Sequence, residues 1–187
     1  MTLSRLLLTG ASVAICSAAV VAQPSQAPQG PVTASARAEI KGKGVTGTAE
    51  LVERKQNIGS LVEITITASG LTPGLHGVHI HAVGKCDPDF SAAGGHFDPG
   101  PHGHTDPDAN HPYHMGDIPN LEVGADGRGT LKTVTTRVWL SPGPLSLFDE
   151  DGSAIIIHAD PDQGITGEPK SGVSGGARVA CGVIVKK

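Results

Sequence analysis

Short runs in which β-branched and apolar residues alternate with polar ones, each closed by glycine or proline, constrain this chain more than any other feature. Residues 45–53 (VTGTAELVE), 61–68 (LVEITITA), 77–83 (GVHIHAV), 121–123, 129–140 (GTLKTVTTRVWL), 154–158 (AIIIH) and 177–186 (ARVACGVIVK) have this form. Successive side chains of a strand point to opposite faces, so such runs bury one face and wet the other. Asn57-Ile58-Gly59 separates the first two as a turn, and Gly124-Ala125-Asp126-Gly127 marks a hairpin between the fourth and fifth. Gly 26 and Pro 14 leave little room for long helices, and neither a helical period nor an internal repeat is visible. With 187 residues the expectation is one domain. Many short strands with Gly/Pro turns predict an all-β sandwich or barrel.

At 38% hydrophobic and 17% charged residues the chain has enough apolar material for a core. A formal net charge of −4 excludes a general nucleic-acid binder, which needs a basic surface. The N-terminus reads as an address. Arg5 precedes an apolar, small-residue run over 6–22 that ends in Val20-Val21-Ala22, a plausible cleavage site. Thr9, Gly10, Ser12 and Ser17 make that run short and weak for a membrane span, so no stable span is expected after processing. Arg-Arg is absent, which favours a general export route, and Ile15 before Cys16 argues against a lipoprotein. The expected organisation is a signal peptide over 1–22, a flexible Pro/Gln-rich tether over 23–33 and one domain over 34–187, placed in the periplasm or outside the cell. Cleavage removes Cys16 and leaves Cys86 and Cys181, an even pair that can persist as a disulfide in an oxidising compartment. Two unpaired buried thiols are the alternative.

Nine histidines are the unusual count, because most crowd into one stretch. His79 and His81 sit two apart on a strand and therefore face the same way, with Val78 and Ile80 turned to the core. Two exposed polar residues would fit that spacing as well. Two long stretches lack strand character, 84–119 and 159–176, and long loops of that kind are usually functional. The first holds His96, His102, His104, His111 and His114, with Asp117 three residues on; His158 ends the AIIIH run. Imidazoles with one carboxylate suit zinc or copper, whereas calcium and magnesium prefer oxygen shells. A zinc hydrolase of the H-x-H-x-D-H kind is disfavoured, since Val83 and Gly84 stand where Asp and His belong. So is a blue-copper carrier, since no histidine follows Cys181.

Four segments carry a family resemblance. Gly74-Leu75-His76-Gly77-Val78-His79-Ile80-His81 resembles the G-L-H-G-F-H-x-H segment of copper/zinc superoxide dismutases. Ala93-Gly94-Gly95-His96-Phe97-Asp98-Pro99 is similar to their A-G-G-H-x-x-P, and His114-Met115-Gly116-Asp117 to their H-x-G-D. Gly175-Gly176-Ala177-Arg178-Val179-Ala180-Cys181-Gly182-Val183-Ile184 resembles their G-x-R-x-A-C-G-V-I end. The segments occur in the family's order across residues 34–187, and the leader and Cys86 fit its exported, periplasmic-type branch.

The resemblance implies a Greek-key β-barrel or sandwich with two long functional loops. It implies one copper and one zinc per subunit, superoxide as substrate, dismutation to dioxygen and peroxide, and a role in antioxidant defence. His79, His81 and His158 resemble copper ligands, and His96 resembles the imidazolate that joins copper to zinc. His114 and Asp117 resemble zinc ligands; His104 is the third, with His102 its rival. Asp162 resembles a carboxylate that orients ligands of both ions, and Arg178 the active-site arginine, with Lys85 and Lys170 as further candidates for steering the anion. His96 is implied to hand a proton to departing peroxide. His76 resembles a packing residue. Family members occur as dimers and monomers, so a homodimer stays open. The chain departs from the pattern at Val78, where an aromatic is usual, in the extra His102 and His111, and in the length between His104 and His114. A non-catalytic copper store or delivery module on the same scaffold is the standing alternative.

Overall fold

The computed structural model describes residues 30–99, 114–165, 167 and 171–187. The expected signal peptide, most of the tether, and His102, His104, His111 and Lys170 lie outside the described residues.

Nine strands follow one another among the described residues: β1 (Val32–Gly42), β2 (Thr46–Lys55), β3 (Ser60–Ser69), β4 (Gly74–His81), β5 (Asp117–Val123), β6 (Arg128–Thr135), β7 (Ala154–His158), β8 (Arg178–Val183) and β9 (Val185–Lys186). A short 3-10 turn at Phe90–Ala93 interrupts the stretch read as strandless. The strands pair in the order β2-β3-β6-β5-β4-β7-β8-β1, and β1 also pairs with β2, so eight antiparallel strands close into a barrel. β9 adds to β1 through Ala36↔Lys186 and Arg37↔Val185. The chain crosses over the barrel between β3 and β4 and again between β6 and β7. Strands β3 to β6 then stand in the spatial order 3-6-5-4, a Greek key.

Alternation explains the core. Ala49 and Leu51 of β2, and Val62, Ile64 and Ile66 of β3, point inward and are buried, while their neighbours face solvent. β7 differs: all five of its residues are buried. Ile155 and Ile157 join the main core, and Ile156 and Ala154 pack with Cys181, Ala93, Phe90 and Cys86 on the other side. An unbroken apolar run is what a strand covered on both faces requires.

Three features depart from the sequence reading. β1 was not foreseen, although Ala36, Ala38 and Ile40 are buried between exposed Arg37, Glu39 and Lys41. Alanine is a poor strand former, so the period was carried by residues that signal it weakly. β1 begins at Val32, paired with Arg54, so two residues assigned to the tether belong to the barrel. β6 ends at Thr135, and residues 136–153 form a third long connection. Glu53 of β2 pins it: Leu140 and Ser141 donate their backbone N–H groups to Glu53 Oε2, each at 2.7 Å. Among the described residues no helix is long and apolar enough to cross a membrane.

Burial by itself would raise the Glu53 pKa. The amides of Ser141 and Leu140 and the Ser60 hydroxyl outweigh it and hold the carboxyl below its ordinary 4.5. A carboxylate with a depressed folded pKa stabilises the fold above its unfolded pKa, and that contribution is lost as pH falls. Glu53→Gln is expected to cost about 1–3 kcal/mol near neutral pH, because a charge-assisted acceptor becomes a neutral one. Urea unfolding should show the gap from wild type closing as pH drops below about 4.5.

Candidate metal centre

β4 carries two faces of different use. Val78 and Ile80 enter the core, while His79 and His81 point the other way and are nonetheless buried. The cover is the stretch after β4, which folds back beside it. Ala82 N donates to Gly95 O at 2.8 Å and Phe97 N to Ile80 O at 2.8 Å, so His96 lies opposite His81. Fully buried Phe97 anchors that return in the core. His158, at the end of β7, completes the group. Ring centroids stand 4.0 Å apart for His79 and His96, 4.7 Å for His79 and His158, 4.9 Å for His81 and His96, and 5.8 Å for His81 and His158.

Each ring is tied through one nitrogen. His79 Nε2 donates to Asp162 Oδ2 at 2.7 Å, His81 Nδ1 to Gly94 O at 2.9 Å, and His158 Nδ1 to Gly176 O at 3.1 Å. His96 directs Nδ1 to Asp117 Oδ1 at 2.7 Å. The opposite atoms, His79 Nδ1, His81 Nε2, His96 Nε2 and His158 Nε2, are buried without a hydrogen-bond partner. The four residues offer ligand atoms within 4.8 Å of one another. Buried polar atoms rarely go unpaired, and a ring that donates from one nitrogen presents a lone pair at the other. Four such lone pairs converging fit a metal that prefers imidazole. Burial, then the charge of neighbouring imidazoles, holds His81 well below its ordinary pKa, His96 down to about 4 and His158 down to about 3. Those three rings are therefore neutral and able to ligate at neutral pH.

A second cluster shares His96. His96, His114 and Asp117 also bring ligand atoms within 4.8 Å. Asp117 Oδ2 accepts from His114 N at 2.8 Å and lies 3.3 Å from His114 Nδ1. Burial opposes the Asp117 charge, but hydrogen bonds from His114 and His96 prevail and depress its pKa strongly. Two imidazoles and a carboxylate fit zinc. His96 thus has one nitrogen in each cluster.

Other residues set these ligands. Asp162 Oδ1 accepts from Gly164 N at 2.7 Å while Oδ2 takes His79. Asn120, which the sequence did not single out, clamps the Asp162 backbone: its Nδ2 donates to Asp162 O and its Oδ1 accepts from Asp162 N, both at 2.9 Å. His76 lies 2.7 Å from His158 O and 2.8 Å from Thr72 O, away from the open lone pairs. Arg178 donates to Phe90 O and Gly94 O, both at 2.7 Å, so it shares the Gly94 carbonyl with His81. Gly94 has φ +72° and Gly175 φ +98°; a Cβ on Gly175 would come 2.7 Å from His158 Cβ. Cys86 and Cys181 form a disulfide that ties this stretch to β8.

Comparisons with known proteins agree with the arrangement. The family model described as copper/zinc superoxide dismutase matches residues 45–184. A protein of Deinococcus radiodurans named "Superoxide dismutase [Cu-Zn]" is 43% identical over 150 residues, 74% of this chain and 76% of that protein. A "Superoxide dismutase-like protein YojM" of Bacillus subtilis is 42% identical over 139 residues, 72% of this chain and 68% of its own. The crystal structure of a SOD-like protein from Bacillus subtilis superposes with a TM-score of 0.64 at 32% identity, covering 83% of this chain and all of that one.

The disulfide closes a span of 95 residues. For loops near this length, chain-entropy arithmetic gives a stabilisation of about 4–5 kcal/mol. A Cys86→Ser, Cys181→Ser double variant is expected to lose a comparable amount in denaturant unfolding. Mass spectrometry of unreduced wild-type peptides should show the two cysteines linked.

Proposed function

This chain belongs to the copper/zinc superoxide dismutase family, and from that membership we propose that it removes superoxide at a paired copper and zinc centre. The observation that carries the reading is the set of four buried ring nitrogens without partners, one of them on a residue that also faces a second ligand cluster. His79, His81, His96 and His158 would hold copper, one ion per subunit. His96, His114 and Asp117 would hold zinc, with His104 as the remaining ligand.

Copper supplies a one-electron couple, able to oxidise one superoxide to dioxygen and reduce another to peroxide, whereas zinc has no accessible redox change. The chain does the rest. When not holding the ion, His96 Nε2 would take a proton from solvent and give it to the departing peroxide as general acid, with solvent supplying the second proton. Asp162 and the Gly94 and Gly176 carbonyls keep the imidazoles oriented through their far nitrogens. Arg178 draws the substrate anion into a chain whose net charge is negative. Its charge is felt at both His81 and His158, which supports that placement. Its two backbone hydrogen bonds hold the guanidinium in one position. We place the protein outside the cytoplasm: residues 1–22 read as an export signal, and a disulfide suits an oxidising compartment.

The second reading, a copper store or delivery module, is favoured by the relative named superoxide dismutase-like. One assay divides the two. The purified protein should carry about one copper and one zinc per chain and should consume a steady superoxide flux. Full metal loading without consumption would leave the carrier reading standing.

Arg178→Ile should lower kcat/KM at least several-fold, with copper content unchanged and the remaining rate less sensitive to salt. An unaltered rate would exclude guidance by this side chain.

A further inference from the structure

The barrel is open at the end where Asp117 begins β5. β5 pairs with β6 only at Val123↔Gly129, while β6 follows β3 as far as Val62↔Thr135. The Asp117 end of β5 is therefore laddered to β4 alone, through His79↔Asp117 and Val78↔Ile118. Beside this end of β5 lies a cleft of about 340 Å³ lined by Asp117, Pro119, Asn120, Arg137 and Asp162. Arg137 reaches across it and donates from Nη2 to the backbone carbonyl of Asp117, replacing the bond that a neighbouring strand would have made. Arg137 itself is delivered from fixed backbone. Its N–H donates to Thr135 Oγ1 at 3.1 Å, and Leu140 and Ser141, three and four residues on, are pinned to Glu53.

We propose that Arg137 is a positioning residue for the zinc cluster, holding the Asp117 peptide so that both carboxylate oxygens stay aimed at His96 and His114. The proposal rests on the reading of His96, His114 and Asp117 as zinc ligands. A guanidinium beside a site for a dication has two opposed effects. Its charge repels the ion, whereas its hydrogen bond holds the carboxylate carrier in place. The first predicts tighter zinc binding when Arg137 is lost; the second predicts weaker binding. The single donor-acceptor contact to the ligand's own peptide favours the second.

The test uses full-length chain with Arg137→Met and Arg137→Lys, zinc affinity from competition with a chromophoric chelator, copper content, and the visible spectrum of Co(II) in the zinc site. Zinc binding should weaken at least tenfold in Arg137→Met and by a smaller factor in Arg137→Lys, which keeps the charge but not the fork. The Co(II) bands should shift in both, with copper bound as in wild type. Unchanged or tighter zinc in both variants, or an unchanged Co(II) spectrum, overturns the proposal. If Arg137→Met does not fold, Arg137→Lys decides; joint loss of copper and zinc in both would make Arg137 a general prop and defeat it. A wild-type protein that fails to hold zinc sinks the site reading instead.

Discussion

The structure depends on an asymmetry in four buried imidazoles: one nitrogen of each is bound to the protein and the other is not. Tying the far nitrogen fixes both the tautomer and the plane of the ring. The remaining lone pairs must then point inward, and a protein interior tolerates such orphans only where something else satisfies them. Much of the architecture around the site serves to supply those ties at the right places.

The ties come from four separate segments. Gly94 belongs to the return after β4, Gly176 to the approach to β8, Asp162 to the connection after β7, and Asp117 to the start of β5. None of these segments is a long regular element, so each is held by a long-range device. The Cys86–Cys181 disulfide and the Arg178 hydrogen bonds secure the first to β8. Asn120 secures Asp162 to β5. Sharing of the Gly94 carbonyl joins the placement of the Arg178 guanidinium to that of the His81 ring.

The barrel provides rigidity beneath this shell. β4 and β7 run side by side, with Val78↔Ile157 and Ile80↔Ile155 as partners. Their inward side chains lock the register, and that register sets where His79, His81 and His158 emerge. A slip of one residue would turn His79 and His81 into the core and Val78 and Ile80 out of it. The far side of the barrel reaches the site through the connection after β6, which Glu53 of β2 holds at Leu140 and from which Arg137 bonds the Asp117 carbonyl of β5.

Local pattern made several parts readable in advance. The AIIIH strand, the Gly124–Gly127 hairpin and the common face of His79 and His81 each follow from a period or a turn within a few residues, and a window of sequence contains all of that information. β1 escaped because its inward alanines carry little β preference, and Glu53, Asn120 and Arg137 escaped because nothing near them in the chain marks their partners. The histidines and Asp117 were visible as chemistry, and their likeness to a family could be read from four short segments. Which nitrogen of each ring stays open, which carbonyl or carboxylate takes the other, and how the barrel opens beside Asp117 were decided by contacts between residues tens of positions apart. Such contacts exist only once the strands have closed, because hydrogen-bond direction is a property of assembled backbone and not of residue order.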